Sequence, residues 1–357
     1  MDISKLLKAY VNKEKINMDI NNSDIKLLLE QSLQTLLYPV FQDKKYKSYY
    51  VSWVLKQESF YKLQEEITNV FNNNNINHVY FKGSVLSKLY DDPSVRTRGD
   101  IDLYVSPLDI NKAKEVLLNN GYIPDTESID CMHHYSFKKN DIEIELHFNM
   151  LDPDCDKEWI NLFDNPFVLS DKTNGFLYEY KPTYHLLYCI IHFAHHLRHG
   201  AGIRYLIDFY YMFKKTNIDF KLLHEKLNEC KLNILYKNII NALRMIFDID
   251  FDDNIINEDV TFFIDYLLSY GIHGHSNNET SVQASVHKNK FTYFISRVFL
   301  LNTPYRKARY PKLYHWYLYP ICLIKHWLFL ITHKLGSFFK FLFGKNKNKD
   351  LYKKLGV

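Results

Sequence analysis

Apolar residues recur every three to four positions toward both ends of this chain, whereas between about residues 79 and 148 they come in short runs and strict alternation. The helical period covers Asp24 to Leu37 and about Tyr49 to Phe71, and Asn72-Asn73-Asn74-Asn75 closes the second of these stretches. Val79-Tyr80-Phe81 then predicts a strand, Gly83-Ser84 a turn opening a helix, and Asp100-Ile101-Asp102-Leu103 a second strand. Ser106-Pro107 predicts the start of a helix that runs to about Asn120, with Pro at its first position and Gly121 just past its end. In 141–148, Ile142, Ile144, Leu146 and Phe148 fall on one face and Asp141, Glu143, Glu145 and His147 on the other. His134-Tyr135-Ser136-Phe137 and the Lys139-Asn140 turn make that segment the second arm of a hairpin. Helical periodicity returns in Pro182 to Leu197, Ile203 to Lys215, Phe220 to Cys230 and Ile234 to Phe247. The order predicts an α+β fold, a small sheet between helical regions, divided as 1–75, 76–150, 151–290 and 291–357.

The alternation also sorts the chemistry. Asp100 and Asp102 share one strand face while Ile101 and Leu103 point into the core. Adjacent carboxylates with no cation beside them repel each other, and a divalent ion between them removes that cost. A solvated strand face accounts for Asp141 and Glu143 without any function.

A Gly-Ser turn, a spacer and Asp-x-Asp on a strand resemble the DNA polymerase β-like nucleotidyltransferase superfamily. Lys82-Gly83 and Arg96-x-x-Gly99-Asp100-Ile101-Asp102-Leu103 are similar to one branch of it, a family of uncharacterised bacterial nucleotidyltransferases often found among polysaccharide and other biosynthetic genes. The resemblance is strong over about 79–148 and weaker to about 210. It implies a minimal polymerase β-like sheet and transfer of a nucleoside monophosphate from a triphosphate to a hydroxyl, with release of pyrophosphate. It implies two Mg²⁺ ions, or Mn²⁺, held by Asp100, Asp102 and a third acid. Family members usually carry that acid two residues before a His, as Glu145 stands before His147, and Glu143 is the alternative. Gly83 would let the backbone approach phosphate, Ser84 would donate to it, and Lys82, Arg96 and Arg98 would balance the triphosphate charge, Arg96 fitting the family spacing better than Arg98. His196, Arg204 and Asp208 fall where the resemblance suggests contact with nucleotide or acceptor.

Other phosphate-binding signatures are absent: there is no G-x-x-x-x-G-K-[ST] and no G-x-G-x-x-G after a strand. His185, His192, His195, His196 and His199 form a second cluster, with i, i+4 pairs suited to a metal, yet without the Glu of H-E-x-x-H. The five cysteines form no C-x-x-C pair, and Met1-Asp2-Ile3-Ser4-Lys5 lacks the apolar core of a signal peptide, so a reducing, cytoplasmic setting is expected. A net charge of +4 over 357 residues, with no RNA-binding motif, counts against nucleic acid. A sugar, a glycan precursor, a small metabolite or a protein hydroxyl is the expected acceptor. The alternative from another class is an idle nucleotide-binding scaffold. Residues 312–354 combine aromatic bulk with a lysine-rich end and predict weak contact with the anionic inner face of a membrane.

Overall fold

The computed structural model describes residues 2–125, 133–153, 155–198, 200–271, 312–333 and 349–357, together with 295, 298–300, 306 and 310. Its helices are α1 (Ile3–Asn12), α2 (Asn22–Glu30), α3 (Leu37–Phe41), α4 (Lys47–Asn73), α5 (Gly83–Leu86), α6 (Ile110–Asn119), α7 (Lys157–Leu162), α8 (Pro182–Leu197), α9 (Arg204–Lys215), α10 (Phe220–Glu229), α11 (Asn233–Phe247), α12 (Thr261–Ser269), α13 (Tyr319–His333) and α14 (Lys349–Leu355). The strands are β1 (His78–Tyr80), β2 (Asp100–Val105), β3 (Ile123–Pro124), β4 (His134–Lys139), β5 (Ile142–His147), β6 (Ser170–Asn174) and β7 (Leu177–Tyr180). They form one mixed sheet in the order β3-β4-β5-β2-β1-β7-β6.

The pleat of the central strands divides the interior in two. Ile101, Leu103 and Val105 of β2 and Ile144 and Leu146 of β5 face α4 and α6, where they pack with Phe60, Ile67, Phe71, Ala113 and Leu117. Val79, Phe81 and Tyr104 face the other way and join a larger core built on α8, α9 and α11. That core takes in both ends of the chain, Leu6 and Leu7 from α1 and Leu355 from α14. Asp100 and Asp102, alternating with Ile101 and Leu103, therefore lie on the face that looks toward α8 and α9.

Where elements depart from the periodicity, tertiary contacts decide. The stretch from Asp24 to Leu37 is two helices rather than one: α2 stops at Glu30, Ser32 takes a φ of 54°, and Gln34–Leu36 is a 3-10 turn before α3. Gln31, fully buried, donates to the carbonyls of Leu267 and Tyr270 and accepts from the Ile203 amide at 2.8 Å, and Thr35 donates to Val95 O at 2.6 Å. These contacts pin the break against three distant segments. The helix after Ser106-Pro107 starts only at Ile110, because Ser106 first forms a tight turn, its hydroxyl accepting from Leu108 N and its carbonyl from Asp109 N. The β6–β7 hairpin departs from the expectation of a helical region over 151–290, because both strands join the sheet beside β1. Its turn carries Gly175 at φ +60°, where an added Cβ would strike the Asn72 side chain at 2.8 Å. Asn72 in turn accepts from Phe176 N at 2.7 Å, which fixes β7 parallel to β1.

Cys155, Cys189, Cys230 and Cys322 are buried free thiols, while Cys131 lies outside the described residues. Helix α13 buries Cys322 and His326 but exposes Ile321, Ile324, Leu328 and Ile331, in line with Trp316 and Tyr317 just before it. Among the described residues no helix is long and apolar enough to cross a membrane. Phe338 to Phe343, Lys345 and Lys347 lie outside the described residues.

Candidate active site

Strands β2 and β5 run parallel and in register, so Asp100 pairs with Glu143 and Asp102 with Glu145. Register alone brings the second Asp and the candidate third acid side by side on the α8 face. A cavity of about 470 Å³ opens there. Asp100, Asp102, Glu145, Lys82, Gly83, Arg96, Arg98 and Asp208 all line it. Glu143, one pair further along the same face, does not reach it.

The acids do not lack a cation. Lys82 sits just before α5 with φ 49° and ψ −132°, a left-handed conformation that costs a non-glycine residue energy and that collects at functional sites. It carries Nζ to 2.8 Å from Asp102 Oδ1 and 3.9 Å from Glu145 Oε2. Burial is the largest single influence and works against the Lys82 charge, yet Asp102 together with Tyr188, Glu145 and Asp100 outweighs it and holds the ammonium well above its ordinary range. One ammonium cannot satisfy the whole group. Burial, and then the neighbouring Asp102, push the Asp100 carboxyl up to about 7, with Lys82 opposing. Burial likewise raises Glu145, but the hydrogen bond from His147 and the charge of Lys82 prevail and hold it below the usual carboxylate range. Hard oxygen donors on two adjacent strands, one of them raised by burial and by its acidic neighbour, are a set that a divalent cation fits.

Gly83 and Ser84 serve the site from beneath. A Cβ on Gly83 would lie 2.9 Å from Arg96 Nη1 and 3.3 Å from Arg98 Cβ, so the absent side chain makes room for two arginines. Ser84 is fully buried and its Oγ accepts from Asp102 N at 3.1 Å, tying α5 to the strand that carries the acids. Helix α5 is a single turn, followed by a 3-10 turn at Ser87–Leu89.

The facing wall is cationic. Arg96 makes a two-pronged contact with Asp208 on α9, Nε to Oδ1 at 2.7 Å and Nη2 to Oδ2 at 2.9 Å, and Tyr90 donates to the same Oδ1 at 2.7 Å. Burial disfavours both charges; each partner restores the other, so the Asp208 carboxyl stays low and the Arg96 guanidinium high. Arg98 has no such acid. It is 5% exposed, lies 4.2 Å over the Phe60 ring, and donates through Nη1 to Gln64 Oε1 at 2.9 Å. Its Nε and Nη2 find no partner among the described residues. Burial and then Arg96 push its pKa down to about 10. Arg204 donates to the carbonyl and hydroxyl of Thr97, and burial and then Arg96 push it down as well. An under-satisfied guanidinium in a cavity wall is a receptor for an anion.

Histidines fill the space behind the acids. His147, fully buried, places Nε2 at 3.3 Å from Asp102 Oδ1 and 3.2 Å from Glu145 Oε2. His134 Nε2 is 3.6 Å from Glu145 Oε1. Burial is the first cause holding His134 down at about 4 and His133 at about 2. Of the helical cluster, His192 and His196 line the cavity with their Nε2 atoms 3.0 Å apart. His185 is buried against Tyr180, His195 Nδ1 lies 3.7 Å from Cys155 Sγ, and His199 falls outside the described residues. Trp53, Gln64, Tyr90 and His134 escaped the sequence reading. His147 entered it only as a marker for Glu145, although alternation already put it on the acid face.

A family model described as an uncharacterised nucleotidyltransferase matches residues 24–248, from α2 to the end of α11. No curated protein and no solved structure matches the chain.

Proposed function

Because the chain belongs to this family of uncharacterised nucleotidyltransferases, we propose that it moves a nucleoside monophosphate from a nucleoside triphosphate to a hydroxyl acceptor, releasing pyrophosphate, in the cavity between β2, β5 and α9. The observation that carries this reading is the polarity of that cavity. Carboxylates in register form one wall, and Arg96, Arg98 and Arg204 line the other. Polyphosphate bound between them meets cations on one side and acids able to hold divalent ions on the other.

In this reading Asp100, Asp102 and Glu145 hold Mg²⁺, which when bound neutralises charge developing on the transferred phosphorus and the leaving oxygen. Arg98 supplies its unpartnered Nε–H and Nη2–H to the triphosphate. Arg96, locked by Asp208 and Tyr90, contributes fixed positive charge and holds the loop before β2. Lys82 leaves Asp102 and follows the phosphate. Glu145, side by side with Asp102, is placed to accept the acceptor's proton. Trp53 at the cavity wall offers a flat surface for a base. A sugar or glycan precursor, a small metabolite or a protein side chain remains the acceptor class. Incubating the full chain with each labelled triphosphate, Mg²⁺ or Mn²⁺ and pools of these acceptors tests the reading. Release of pyrophosphate coupled to an acceptor adduct is expected, and triphosphate that stays intact with every pool overturns it.

We also propose weak attachment to anionic membrane surfaces through α13. Tyr317, Ile321, Ile324, Leu328 and Ile331 are each more than half exposed and spaced four and three residues apart, the rhythm of one helix face. Lys353 and Lys354 lie in the same terminal region. Co-sedimentation with anionic vesicles at low salt is expected for the full chain and lost on Ile324→Glu with Leu328→Glu. Equal recovery of both proteins in the supernatant rejects the attachment.

A further inference from the structure

Glu145 turns its two oxygens to different neighbours. Oε2 meets His147 Nε2 and, further off, Lys82, whereas Oε1 faces His134. Behind it the imidazoles of His133, His134 and His147 converge, with ring centres 4.7 Å apart for the first pair, 4.9 Å for His134 and His147 and 5.3 Å for His133 and His147. One nitrogen from each lies within 4.8 Å of the others, close enough for a single ion. An independent observation points the same way. His147 is fully buried, yet its Nδ1 has no hydrogen-bond partner among the described residues, although buried ring nitrogens are costly to leave unsatisfied. Asp152 stands next to this cluster, with Oδ2 3.8 Å from His133 Nδ1.

The donor type separates this cluster from the carboxylate wall. Oxygen donors suit Mg²⁺, which is indifferent to imidazole, whereas three imidazoles select a borderline transition ion. We propose that His133, His134 and His147 form a site for such an ion, of the Zn²⁺ or Co²⁺ class, with Glu145 as the carboxylate that links it to the acid wall. The ion would lie about 2.0–2.1 Å from each ligating nitrogen. It would fix the rotamer of Glu145 and so act as a positioning element for the acid wall. The site stands on its own geometry, whether or not the chain transfers nucleotides.

Cobalt reports this site directly, because Co²⁺ among imidazoles absorbs visible light. The full-length protein, stripped with chelator and titrated with Co²⁺ under excess Mg²⁺, should develop visible bands that saturate at about one ion per chain. His133→Ala and His134→Ala should each weaken Co²⁺ binding by about tenfold or more, while Asp100→Asn leaves the bands unchanged. Bands that survive both histidine substitutions, that vanish in Asp100→Asn or that never form overturn the proposal. Anomalous scattering at the cobalt edge gives a second readout should either variant fold poorly. A peak among the three imidazoles is expected, and a peak confined to Asp100 and Asp102 defeats the inference while leaving the transferase reading intact.

Discussion

The carboxylate wall and the arginine wall of the cavity are held in place by different means. Asp100, Asp102 and Glu145 are set by strand register: once β2 and β5 pair, Asp102 and Glu145 are neighbours whatever else the chain does. Arg96, Arg98 and Arg204 are set by tertiary partners far along the chain, Asp208 for the first, Gln64 for the second and Thr97 for the third. The acid wall is crowded with like charge that its one lysine does not offset. The arginine wall mixes one saturated ion pair with a guanidinium left short of partners. Strand pairing can hold repelling charges together because the backbone ladder and the apolar face behind it carry the stability. Arginines entering from a loop and a helix are ordered by partners of their own, an acid for Arg96 and uncharged groups for Arg98 and Arg204.

Substitutions on the two walls should therefore separate function from stability. Asp102→Asn, near-isosteric on a paired strand, should lower nucleotidyl transfer by about a thousandfold or more with unchanged circular dichroism. Turnover within tenfold of the parent would remove Asp102 from the chemistry. Asp208→Ala should act on folding instead, because it strands Arg96 as a buried, unpaired charge. A loss of about 3–5 kcal/mol in denaturant unfolding is expected, and a loss under about 1 kcal/mol would mean that Arg96 finds water or another acid. Arg98→Met should break the symmetry within the arginine wall. Binding of a non-hydrolysable triphosphate, followed by calorimetry, should weaken by about ten- to a hundredfold, with stability held or raised. Destabilisation like that of Asp208→Ala would show that Arg98 is structural.

The smallest effect sharpens the acid wall. Asp100 is raised to about 7 in the folded protein and is near 3.8 when unfolded, so the folded state binds the extra proton between these values. Its contribution to stability is therefore complete below about 4 and is lost as pH rises through about 7. Divalent ions compete with that proton, so Mn²⁺ affinity should climb several-fold from pH 6 to pH 8. Without divalent ions at pH 8, Asp100→Asn should raise the melting temperature by ~2–4 °C. A flat Mn²⁺ affinity across this range, or a lower melting temperature for the variant, would contradict the assignment.

The two walls also differ in how far the sequence discloses them. Alternation in 141–148 sorts Glu145 and His147 from Ile144 and Leu146 before any coordinates, and Asp-x-Asp on an apolar strand does the same for Asp100 and Asp102. Helices α8 to α11 are legible within a residue or so because their period is local. The Arg96–Asp208 pair joins residues 112 apart, and no local rule announces it. The resemblance assigns Lys82 to the triphosphate, but nothing in the sequence discloses its contact with Asp102, which depends on a backbone conformation that its residue type does not favour. The break at Ser32 is equally hidden, since the contacts of Gln31 that enforce it come from residues 203, 267 and 270. The β6–β7 hairpin is different: Asn174-Gly175 is a strong hairpin signal in plain view, masked by the helical segments around it.

In the proposed reaction, the lysine held against Asp102 would make the site an exchanger. A pocket of bare acids would have to capture metal in order to fold, and would then keep it tightly. This chain carries an internal substitute for part of that charge, so an incoming ion displaces an ammonium already in place and gains only the difference. Occupancy then tracks the free ion concentration of the surroundings instead of being fixed when the chain is made. The displaced ammonium, tethered at the entrance of α5, would be set free at the moment when a phosphate needs it.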